Sequence, residues 1–78
     1  MIHCTITSPQ KTTVYDDLAS ITLFSYSGEM QILPGHAEYF GVLRGGNVTM
    51  KQQHGRKNTV VIKNGECHVK NDAVTIML

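Results

Sequence analysis

Apolar and polar residues alternate with a period of two along most of this chain, and that pattern restricts it to sheet. Ile2, Cys4 and Ile6 share one side, while His3, Thr5 and Thr7 share the other. Successive side chains of a strand point to opposite faces, so each such run buries one face and wets the other. Ile21 and Leu23 flank Thr22; Val48 and Met50 alternate with Thr49 and Lys51. Cys67 and Val69 alternate with His68 and Lys70, and Val74, Ile76 and Leu78 alternate with Thr75 and Met77. Val60-Val61-Ile62 is a continuous β-branched run, which predicts a more fully buried strand. No window of useful length carries a capped pattern of helical period.

Turn signals separate these runs at short intervals: Ser8-Pro9, Ser27-Gly28, Pro34-Gly35, Gly45-Gly46, His54-Gly55, Asn64-Gly65 and Asn71-Asp72. Asn64-Gly65 is the strongest, because both residues tolerate the positive φ of a type I′ hairpin turn. The expected fold is all-β: an antiparallel β-sandwich or flattened barrel of about eight to ten short strands. With 78 residues, positions 1–78 are expected to form one domain. A chain this short buries only roughly 60% of its unfolded surface, so its core has little to spare.

Composition narrows the function. A net charge of +1 with scattered basic residues gives no electrostatic footprint for nucleic acid. The densest basic run, His54-Gly55-Arg56-Lys57, suits a charged hairpin tip. No apolar run approaches the roughly 20 residues that cross a bilayer, and MIHCTITSP has no basic region followed by an apolar stretch. Cys4 and Cys67 both fall on apolar sides of their runs, which predicts two buried free thiols; the sequence equally permits a disulfide between them. Free thiols make a reducing, cytosolic setting the default.

Enzymatic motifs are missing. His3, His36, His54 and His68 stand at no zinc-finger or HExxH spacing, and neither cysteine belongs to a CxxC pair. There is no GxSxG, GxGxxG or Walker loop. Asp16-Asp17 is a carboxylate pair, expected in a solvated loop rather than in acid–base work. Phe24, Tyr26, Tyr39 and Phe40 are the candidates for an aromatic surface; at least two of them are expected in the core, since the chain has no tryptophan to supply bulk.

The segment from Tyr26 to Phe40 is the least ordinary. Ser27, Gly28 and Glu29 read as a hairpin tip, Met30 to Leu33 as a short strand, and Pro34-Gly35 as a type II turn that sets φ at proline and permits positive φ at glycine. His36 follows, free to start a new segment or to bond to nearby backbone.

These residues resemble the N-terminal β-sandwich domain of the ε subunit of F-type ATP synthases. The likeness spans nearly the whole chain: the opening ITSPQK, Val14-Tyr15-Asp16, SGEMQILPGHA, Leu43-Arg44-Gly45-Gly46, and the closing Asn71-Asp72-Ala73-Val74-Thr75-Ile76. Matches in that order are far more specific than one short motif. The resemblance implies a non-catalytic subunit of the central rotor stalk. It would bind the γ subunit on one side and the polar loops of the membrane c-ring on the other, coupling H⁺ or Na⁺ flow to ATP synthesis. By position, Ser27, Gly28, Glu29 and Met30 match the loop that meets the c-ring; Ser8, His36 and Gly41 match positions towards γ; Pro34 and Gly35 match the turn between. Glu29 is the foremost ring contact, because a carboxylate at a hairpin tip accepts from polar loops. The implied location is peripheral, on the cytoplasmic face of the cell (inner) membrane.

Two departures stand out. Gln31 occupies a position where the family usually has glycine, which predicts a less tightly turned tip. The sequence stops at Leu78, where many members continue into two helices that restrain hydrolysis and in some bind ATP. A short form without that hairpin is the expectation, with no cofactor, no bound nucleotide and no nucleic acid. The alternative reading is a small ligand- or metal-binding β-barrel that uses His36 with other histidines.

Overall fold

A computed structural model describes residues 1–78 and contains no helix. Its six strands are β1 (Ile2–Thr7), β2 (Thr12–Ser25), β3 (Gly28–Ile32), β4 (Tyr39–Gln52), β5 (Lys57–Lys70) and β6 (Ala73–Met77). They hydrogen-bond in the order β1-β6-β5-β4-β2-β3, and β1 also pairs with β2, which closes the barrel. Neighbours are antiparallel except β1 and β6, which run parallel.

Six strands, rather than eight to ten, result from three that are long. β2, β4 and β5 have 14 residues each. A straight strand of that length would span about 45 Å. The molecule measures 28 × 26 × 19 Å, so these strands must bend through both layers. β2 bends where Asp17 takes φ 57 and the pairing with β1 and β4 slips. β4 bends at Gly45-Gly46: three more residues lie on β4 than on β2 between the pairs Thr22↔Thr49 and Ser25↔Leu43. Strands that turn such corners join the two faces of a sandwich.

Gly45-Gly46 is therefore a bend inside β4, and not a turn. Asn64-Gly65, the strongest turn signal, lies inside β5 opposite Arg44 and Leu43. The left-handed pair sits instead at Asn71 (φ 51) and Asp72 (φ 62), which join β5 to β6 as a two-residue hairpin loop. Asp16 and Asp17 are on a strand, and not in a loop.

Fifteen buried apolar side chains form one core, including Ile2, Leu18, Ile21, Leu23, Leu43, Met50 and Ile76. Its chemistry is aliphatic and sulfurous. The expected burial of two of the four central aromatics does not occur: Tyr26 and Phe40 are exposed, Phe24 is half-buried on the outside, and Tyr39 only lines the core. Narrow β-branched and leucine side chains fill a 19 Å thickness that leaves little room for rings. Val61 is 76% exposed, because the run Val60–Ile62 alternates like the others. Leu78 is likewise outside.

Cys4 and Cys67 are buried and free, as their alternation predicts. Burial, and to a lesser degree the neighbouring Cys67, pushes the Cys4 thiol up to about 12; burial pushes Cys67 up to about 11.

Candidate functional site

The outer surface of the sheet that holds β1 and β6 can be followed strand by strand. Phe40 lies opposite His68, His68 opposite Thr75, Thr75 beside Thr5, and Thr5 opposite Val14. The next row runs Val42, Glu66, Met77, Thr7 and Thr12. Phe40 is 61% exposed and stands edge-on to His68 at 5.8 Å between ring centroids. Val42 and Val14 are about half exposed. Tyr26 borders the same surface, lining one depression with Val42, Met77 and Leu78. Phe40 and Val42 form an apolar edge on β4, Val14 lies at the far end on β2, and His68, Glu66 and threonines fill most of the space between; such a mixed surface with exposed apolar side chains suits docking.

The two ends of β1 carry different groups. At its C-terminal end, Ser8 and Lys11 close the β1–β2 turn: the Ser8 amide donates to the Lys11 carbonyl at 2.8 Å, and the Lys11 amide reaches the Ser8 hydroxyl at 3.2 Å. Leu78 docks there, its amide donating to the Thr7 carbonyl at 2.8 Å. At the other end, the His3 amide donates to the Asp72 carbonyl at 2.9 Å, and the Asp72 carboxylate accepts the Gly35 amide at 2.8 Å. That bond ties the Pro34-Gly35 corner to the β5–β6 loop. Gly35 has φ 81 and the His36 amide donates to the Leu33 carbonyl at 3.1 Å, the geometry of a type II turn. His36 Nδ1 donates to the Ala37 carbonyl at 2.7 Å, so its ring is oriented by local backbone. Ser8 and His36 thus flank this surface from opposite ends. Gly41 lies between them but faces inward, where a methyl group would overlap the Tyr39 ring; it offers a partner backbone only.

The β2–β3 hairpin turns at Tyr26-Ser27, with Gly28 (φ 123) completing it. Its shape depends on Ser25, a residue the sequence did not single out. Buried Ser25 accepts the Ser27 amide at 3.1 Å and donates to the Gly28 carbonyl at 3.3 Å. Glu29 follows, exposed and paired across the ladder with Phe24, one step behind the tip. Met30 is half-buried and packs one side of its side chain on the core, which supports the hairpin. Gln31 is on the outer side of β3 opposite Thr22, away from the tip; the turn is set by Ser25 and Gly28.

The histidines stand apart. His3 donates to Asp16 at 2.6 Å, His68 meets Phe40, His36 is turned to Ala37, and His54 lies in the β4–β5 turn. No three His, Cys, Asp or Glu side chains converge to hold a metal. His36 does not join the other histidines in one cluster.

Comparison with known proteins matches the entire chain, residues 1–78, to the ATP synthase delta/epsilon chain β-sandwich domain. The ATP synthase epsilon chain of Wolinella succinogenes is 32% identical over 76 residues, which cover 97% of this chain and 56% of that protein. This chain therefore spans a little over half the length of that relative. A chain in the Euglena gracilis mitochondrial ATP synthase structure superposes with a TM-score of 0.90 at 29% identity, covering 97% of this chain and 49% of that one. A chain in the central stalk and c-ring structure of Tetrahymena thermophila mitochondrial ATP synthase shares the fold, with a TM-score of 0.81 at 18% identity.

Proposed function

This chain belongs to the ATP synthase delta/epsilon β-sandwich family, and from that membership we propose that residues 1–78 are the stalk-docking unit of a rotary ATP synthase. It links the γ subunit to the membrane c-ring and helps couple H⁺ or Na⁺ translocation to ATP synthesis. The observation that carries the proposal is the family match along every residue of the chain. The chain itself does no chemistry; it works as a rigid adaptor in the complex, peripheral to the membrane on its cytoplasmic face.

Two surfaces divide the work. The hairpin with Ser27, Gly28 and Glu29 faces the ring, with Met30 as its internal anchor. The sheet surface bounded by Ser8 and His36 faces γ, with Phe40 and Val42 supplying its apolar area and Gly41 its backbone. Phe40 and Val42 face outward because they alternate with buried Leu43 along β4. Exposed Phe40 and Val42 beside polar neighbours suit a protein contact.

The test is co-purification. A tagged chain should bring down γ and c subunits from cells that express the complex, and Glu29→Lys should weaken ring retention while leaving the melting temperature unchanged. A folded chain that never joins the complex would refute the role.

A further inference from the structure

Beside the hairpin stands a cation that makes no ion pair within the chain. Arg44, exposed on β4, holds its guanidinium carbon 5.6 Å from the centroid of the Phe24 ring. Phe24 is the cross-strand partner of Glu29. The ring rests on Gly46: a Cβ there would lie 3.5 Å from Phe24 Cδ2, and Gly46 has φ 145, where L side chains are strained. The extra residues of β4 at this corner are what carry Arg44 across to β2. Arg44, Phe24 and Glu29 thus follow one another on a single exposed surface.

Neither charge is neutralised within the chain, because its one ion pair is His3 with Asp16. An arginine stacked on an aromatic face keeps its N–H edge available, and the stacking limits the freedom it must lose on binding. We propose that Arg44 is a second charged contact of the ring-facing surface, donating to a carboxylate or carbonyl of the ring's loop while Glu29 accepts from a donor on the same loop. The partner is a polar loop that displays an acceptor and a donor side by side. Phe24 is the positioning residue that holds the guanidinium in place. The inference rests on the ring-facing role of the hairpin.

Binding of the wild-type and variant chains to an immobilised assembly of γ and the c-ring, at low and high salt, tests it. Arg44→Gln should weaken binding about three- to tenfold at low salt. The gap should close at high salt, and the melting temperature should not move. Arg44→Lys should restore part of the affinity, since charge without the fork suffices for one contact. Phe24→Leu should give an intermediate loss. If Arg44→Gln binds like the wild type while Glu29→Lys is weakened, the inference about Arg44 is overturned and the hairpin still faces the ring. If neither variant changes binding, the hairpin's role falls and Arg44's falls with it. A loss that is equal at both salts, or that comes with a lower melting temperature, would mark Arg44 as structural and overturn the charged contact.

Discussion

Replacing Gly45 by alanine should test how tightly β4 and β5 approach at the corner of the sandwich. A Cβ at Gly45 would lie 2.5 Å from the Lys63 carbonyl oxygen, a backbone atom that cannot swing aside. Ordinary contact begins at 3.4 Å, so the two backbones must part by 3.4 − 2.5 = 0.9 Å. That displacement falls between the paired residues Arg44↔Asn64 and Gly46↔Ile62. Losing two ladder hydrogen bonds at about 1 kcal/mol each gives about 2 kcal/mol, within the usual cost of overpacking. A chain of this size has a total stability of about 4–12 kcal/mol, and each kcal/mol shifts its midpoint by about 4–8 °C. Thermal unfolding followed by circular dichroism should therefore show a fall of about 8–16 °C. Gly41→Ala is the control: the three atoms nearest its methyl all belong to the end of the Tyr39 side chain, which can rotate, so it should cost under about 1 kcal/mol. A Gly45→Ala chain that melts within about 2 °C of the wild type would refute the close approach.

Three further outcomes are expected. The Cys4 and Cys67 thiols ionise at about 12 and 11 in the folded chain, against an ordinary 9.0, so the unfolded chain loses these protons first. Stability is then intact below pH 9 and falls as pH rises to about 11–12, by up to about 1.4 kcal/mol per pH unit per thiol; urea titrations at pH 8 and 10.5 measure the fall, and equal midpoints would contradict it. Asp72→Ala removes the acceptor of the Gly35 amide and places alanine at φ 62, which should cost about 1–3 kcal/mol in the same melting assay. Ser25→Ala should loosen the β2–β3 hairpin, seen as faster hydrogen exchange at the Ser27 amide with the core strands still protected.

Much of the fold was legible in the alternation. Ile2, Cys4 and Ile6, Ile21 and Leu23, Val48 and Met50, Cys67 and Val69, and Val74 and Ile76 all point into the core, because a period of two assigns faces without reference to neighbours. The corners were not legible. Gly45-Gly46 and Asn64-Gly65 have the composition of tight turns, yet each lies inside a continuous strand, the first at a bend of β4 and the second in regular register with β4. A short pattern cannot distinguish reversal from bending, since both need backbone freedom. Asn71-Asp72 was the weaker turn signal and holds the left-handed pair, where short polar side chains tolerate φ above zero. At the candidate site, the Pro34-Gly35 corner was readable because proline and glycine dictate the dihedrals of their own turn. The tie from Asp72 to Gly35, the support from Ser25 and the stacking of Arg44 on Phe24 were not, since each joins positions that only the closed barrel brings together.

The most direct measurement is a cryo-electron microscopy map of the rotary complex assembled with this chain. The sandwich should appear in the central stalk, with the Phe40 and Val42 surface against γ and the Tyr26–Glu29 hairpin at the ring's polar loops. A stalk with no density for the sandwich, or a sandwich whose hairpin points to solvent while another edge meets the ring, would contradict this placement.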